Sequence, residues 1–60
     1  MNASDYIIFA SKAVIIAKGG KSLQEKADRL MHLGIRLEDV RAILSTNDLS
    51  VLSKYLRDSN

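Results

Sequence analysis

Residues 22–44 read SLQEKADRLMHLGIRLEDVRAIL, and this stretch decides the fold. Leu23, Ala27, Leu30 and Met31 fall at i, i+4, i+7 and i+8, which is one apolar stripe on a helix. Ser22 and Glu25 stand at capping-box spacing at its start. Gly34 follows where a helix wants a left-handed residue to stop on, and Ile35 can then fold back on Leu30. Leu37, Val40, Ile43 and Leu44 supply the buried face of a further helix. Glu38 and Asp39 suit its first turn, where the helix dipole favours acids. Two short amphipathic helices are therefore expected to meet at one glycine.

Upstream, residues 4–18 read SDYIIFASKAVIIAK. Ser4 or Asn2 can cap a helix here, with Asp5 in its first turn and Lys18 in its last. Asp5, Ser11, Lys12 and Lys18 make one narrow polar stripe, and nearly everything else is apolar. A helix apolar around most of its circumference must be covered on several sides. A β-hairpin is the rival, since Ile and Val favour strands. Apolar and polar residues do not alternate, however, and Ser11-Lys12 is a poor two-residue turn. Gly19 just past Lys18 suits a left-handed helix end. The Gly20-Lys21-Ser22 run echoes the end of a phosphate loop without its GxxxxGK[ST] spacing.

Downstream, residues 45–48 form a turn with several candidate caps. Leu49, Leu52 and Leu56, with Val51 and Tyr55, mark a fourth helix to about Arg57, and residues 58–60 should fray. The expected fold is all-α. It is a small bundle of four short helices at about 4–18, 22–33, 36–45 and 48–57, in a single domain spanning 1–60, with homodimerisation as one way to complete it. The leading Met1 suggests a complete small protein or an intact N-terminus.

Size sharpens the dimer expectation. A chain of 60 residues buries only about 60% of the surface its unfolded form exposes. Folds this small usually need a staple, and there is no cysteine to supply a disulfide or a thiolate metal site. Hydrophobic residues make up 47% of the chain, which argues against disorder. Tyr6, Phe9 and Tyr55 are its only aromatics, too few for stacking on single-stranded nucleic acid. A net charge of +2, with Lys and Arg scattered, neither demands nor excludes nucleic acid. The apolar run through residues 6–17 is broken at Ser11 and Lys12, so it neither spans a membrane nor makes a good secretion signal. A cytoplasmic protein with no membrane partner is expected.

Little in the chain carries chemistry. Asp28 and His32 are four apart on a helix and can meet, but no nucleophile accompanies them. A single histidine and no cysteine leave no metal site, and no cofactor motif is present. Glu25 and Arg29 have the spacing of a surface ion pair. An enzyme is not expected.

The run LMHLGIRLEDVRAIL places Leu30, Leu33, Gly34, Ile35, Val40 and Ile43 as packing residues and turn glycine, and here it resembles a helix-turn-helix unit. That resemblance implies major-groove contacts by Arg36 and Arg41, although Glu38 and Asp39 open the reading helix with acids. Leu33-Gly34-Ile35, the Val40, Ile43, Leu44 spacing and Tyr55-Leu56 are similar to the three-helix ubiquitin-associated pattern, with Ile35 in place of its aromatic. That resemblance implies a compact three-helix shape. The first expectation is a small regulatory or adaptor protein that docks on another protein or on itself. Its interface would use Ile7, Ile8, Phe9, Val14 and Ile15 of the apolar helix 1, together with the helix 2–helix 3 pair. A DNA-binding regulator using Arg36 and Arg41 is the alternative.

Overall fold

Asn2 starts the chain's first helix. Its side-chain oxygen accepts the Asp5 backbone N–H at 2.8 Å, so of the two candidate caps Asn2 is the one used. The computed structural model describes residues 1–57, which are all-α; the expected fraying of residues 58–60 lies outside them. Helix α1 spans Ala3–Lys18, α2 Leu23–His32, α3 Leu37–Thr46 and α4 Ser53–Arg57, with a 3-10 turn at Leu49–Leu52 before α4.

Helix α1 ends differently from the sequence expectation. Gly19 has φ −70° and ψ 172°, an extended conformation open to any residue, not a left-handed one. Its N–H still closes the last turn on the Ile16 carbonyl. Helix α2 begins as expected, with Ser22 Oγ accepting the Glu25 N–H at 3.2 Å. The Glu25 carboxylate pairs with Lys21, 3.9 Å away, in place of the expected Arg29.

The stop at Gly34 follows the expected chemistry closely. Gly34 has φ +99°, the Gly34 N–H donates to the Met31 carbonyl, and the Ile35 N–H donates to the Leu30 carbonyl. These two bonds form a Schellman motif, and its customary apolar contact is between Ile35 and Leu30, both buried. Helix α3 ends on Asn47, which takes the left-handed conformation at φ 57° and donates its N–H to Ile43. Asparagine tolerates that region better than most residues.

The expected fourth helix is divided. Asp48 accepts the Ser50 N–H, and Ser53 Oγ donates to the Ser50 carbonyl. Serine and aspartate side chains compete for local backbone groups in this way, and tight 3-10 turns are frequent at helix starts.

The core joins all these segments. Phe9 and Ala13 of α1, Leu30 of α2, Ile35 of the turn, Val40 and Ile43 of α3, Leu52 and Tyr55 are buried together. The three aromatics form a chain of rings, Tyr6 to Phe9 at 6.4 Å and Phe9 to Tyr55 at 5.4 Å between centroids. Helix α1 packs on α2 and α4, and α3 packs on α2 and the 3-10 turn. No helix among the described residues is long and apolar enough to cross a membrane.

The positive φ at Gly34 makes a direct stability test. Nothing lies within 4 Å of a Cβ built there, so the cost of Gly34→Ala is conformational alone. A loss of about 1–2 kcal/mol is expected in urea unfolding. Gly20→Ala, also facing open space, is expected to stay within about 1 kcal/mol of the parent.

Candidate interaction surfaces

The α2 and α3 apolar stripes are wider than the core can cover. On α2, Leu30 is fully buried while Leu23 remains 66% exposed and Met31 is exposed as well. On α3, Val40 and Ile43 are buried while Leu37 is 48% exposed. The expectation that Leu37, Val40, Ile43 and Leu44 together form the buried face of α3 is therefore corrected at Leu37: each helix buries one edge of its stripe. Their other edges meet in a shallow groove. Leu23 and Ala27 form one wall, Leu37 and Leu44 the other, and Val40 the floor. Gln24, Arg41 and Ser45 complete the lining, and Arg41 is its one charged side chain.

Helix α1 carries a second apolar area. Ile7, Ile8 and Ile15 are exposed, Ile15 at 71%. Two other members of the expected interface are not free. Phe9 is 8% exposed and lies in the core between Tyr6 and Tyr55, and Val14 is half-buried. The helical period explains the split. Phe9 and Ala13, four apart, face inward, while Ile8 and Ile15, seven apart, share the outward face with Ser11 and Lys12. A helix read as apolar all round thus buries one side and leaves three isoleucines outside, interleaved with polar residues.

Helix α3 is tied to α4 by a buried carboxylate, Asp39, which from the sequence alone suits only the helix dipole. Asp39, 3% exposed, is the one buried charged residue among those described. Lys54 Nζ donates to its Oδ1 at 2.8 Å, and the Tyr55 hydroxyl donates to its Oδ2 at 2.5 Å. The same hydroxyl accepts the Arg36 backbone N–H at 2.9 Å, satisfying a donor at the α3 N-terminus where Arg36 offers no side-chain cap. The Arg36 guanidinium lies over the Tyr55 ring, 5.7 Å from its centroid. The Lys54 hydrogen bond, then that of Tyr55, holds the Asp39 carboxyl below its ordinary value, against the opposing effect of burial. Burial, followed by the Asp39 bond, pushes the Tyr55 hydroxyl up. The Asp39 bond likewise raises Lys54. The signal for this network is the pairing of Asp39 with Lys54 and Tyr55 across 15 and 16 residues, which no local periodicity displays.

The chemically reactive types do not converge. His32 Nδ1 donates to the backbone carbonyl of Asp28 at 2.8 Å, so the expected approach of the two residues runs through the main chain and not through the carboxylate. No group of three or more His, Asp or Glu side chains among the described residues is placed to hold a metal ion. Arg36 and Arg41, the alternative DNA contacts, are both exposed, one over Tyr55 and the other along the groove. Comparison with protein families, curated proteins and solved structures finds no match.

The network yields a pH-dependent expectation. The Asp39 pKa is lower in the folded state, so its stabilisation is complete above the unfolded value of 3.8 and is lost as pH falls through the folded value. Asp39→Asn is expected to cost roughly 1.5–3 kcal/mol at pH 7, as for a hydrogen bond to a charged group. The gap between parent and variant should narrow in urea titrations below pH 3.8. A gap unchanged down to pH 2 would show that the carboxylate charge is not what stabilises the fold. Tyr55→Phe removes both hydroxyl bonds and is expected to cost about 1–3 kcal/mol.

Proposed function

We propose that this chain is a small, non-enzymatic, cytoplasmic adaptor or regulatory protein that acts by docking on another protein. The observation that carries the reading is the α2–α3 groove, a largely apolar surface built on two helices that each pack at least one residue into the core. Exposed apolar area grouped in one place marks an interaction site more often than scattered single residues do. The Ile7, Ile8, Ile15 strip of α1 is the second contact, available to the same partner or to a second copy of the chain. The positions of the arginines support the protein reading over the nucleic-acid one. Arg36 is laid over Tyr55, and Arg41 stands beside leucines with Glu38 one turn away.

Site-specific photo-cross-linking in the native host tests the proposal. A photoreactive residue at position 15, 23 or 37 is expected to give adducts of defined mass, while one at the exposed Ser50 gives none. Adducts at none of the three apolar positions would contradict the reading. So would a salt-dependent shift of duplex DNA that disappears with Arg36→Ala or Arg41→Ala, because phosphate contacts release counterions. Leu37→Lys should suppress the adducts at position 23. It should leave the far-ultraviolet circular dichroism unchanged, since Leu37 is already half-exposed.

A further inference from the structure

The groove's one charged side chain specifies its occupant. Arg41 is exposed and lies along a mostly apolar lining in which Gln24 and Ser45 are the other polar residues, and its guanidinium makes no ion pair among the described residues, although Glu38 is three positions earlier on the same helix. An apolar guest laid over it would desolvate that charge, and a buried charge without a partner is costly. A carboxylate on the guest would pair with that charge and avoid the cost. The guest's shape follows from the walls. Helices α2 and α3 have 10 residues each, about 15 Å, and the furrow between two such helices accepts the ridge of a third. We propose that the α2–α3 groove receives an amphipathic helix of about three turns from another protein, with an acidic side chain beside its apolar stripe and set against Arg41. This rests on the interaction-module reading above and adds the partner's chemistry to it.

The chain's own helices do not match that description well. The outward strip of α1 carries Lys12 and Lys18 against one acid, Asp5, and Leu56 of α4 stands beside Arg57, with Lys54 already paired to Asp39. Either would bring a net positive charge to Arg41. Arg41 lies between Leu37 and Leu44 in the sequence, and a two-fold axis passing near it would set two Arg41 side chains against each other. Like charges across an interface act against a partner. A helix from a different, acidic protein fits the groove better than a second copy does.

The test uses the full chain, labelled with nitrogen-15, and two synthetic helical peptides of about 12 residues. Both carry leucine at i, i+4, i+7 and i+11. One has Glu at the positions flanking this stripe, and the other has Lys. The acidic peptide is expected to shift the amides of Leu23, Ala27, Leu37, Arg41 and Leu44, and to bind roughly fivefold tighter than the basic one at low salt. Arg41→Glu should invert that preference while leaving the fold's amide spectrum intact elsewhere. Equal binding of the two peptides would overturn the proposal. So would shifts confined to Ile7, Ile8 and Ile15, no binding by the acidic peptide, or light scattering that shows the groove closed by a dimer. If the acidic peptide fails while cross-links at positions 15, 23 and 37 persist, only the assignment of partner chemistry falls. If both fail, the interaction reading falls with it.

Discussion

The Asp39 carboxylate, held in the wall of the core, ties the end of the chain to its middle. Helix α4 has only five residues, far too few to be stable alone. It is kept in place because Tyr55 packs its ring on Phe9 while its hydroxyl bridges Asp39 and the Arg36 N–H, and Lys54 reaches the other carboxylate oxygen. The same anchor holds α4 against α3 beside the buried Leu52 and Tyr55, and the Tyr55 hydroxyl takes up the Arg36 N–H at the start of α3. The network is also fully satisfied: no buried side-chain polar atom among the described residues lacks a partner. Such a network specifies one arrangement of helices, and that arrangement fixes where the outer edges of α2 and α3 come together.

Size explains why those edges stay outside. A domain of 60 residues has a stability of roughly 3–9 kcal/mol at typical per-residue values. Burying one leucine side chain is worth about 1.5–3 kcal/mol, a large share of that total. The chain nevertheless leaves Leu23, Leu37 and three isoleucines of α1 to solvent. Eight buried apolar side chains already close the core, and each helix can turn only one edge toward it. The remaining apolar area brings its gain only when a partner covers it, which makes docking rather than further folding its physical use.

Much of the fold was legible because its signals are local. The Ser22 cap, the 3.6-residue stripes of α2 and α3, and the Gly34 stop all depend on residues within five positions of one another. The Asn2 cap, one of two candidates, belongs to the same class, whereas residues 45–48 offer several caps and only the structure selects Asn47 as the left-handed end of α3. Gly19 was misread because a glycine after a helix permits the left-handed conformation without requiring it. The division of the last helix into a 3-10 turn and α4 depends on Ser50 and Ser53 bonding the backbone, a competition that apolar spacing does not display. The candidate site was legible only in part. Periodicity shows how wide an apolar stripe is but not which edge of it the core will take. Ile7, Ile8, Phe9, Val14 and Ile15 are all expected on the outward face, but Phe9 turns inward to meet Tyr55 and Val14 is half-buried. Asp39 could not be told from Glu38 beside it, because the difference lies in partners 15 and 16 residues away.

The core holds one edge of each stripe and presents the other to solvent. Methyl relaxation by a soluble paramagnetic agent reads this most directly, at concentrations where light scattering shows a single chain. The methyl groups of Leu23, Leu37, Ile7 and Ile15 should relax strongly, while those of Leu30, Val40, Ile43 and Leu52 stay protected. Uniform protection of all these leucines, isoleucines and valine, or uniform exposure, would contradict the account.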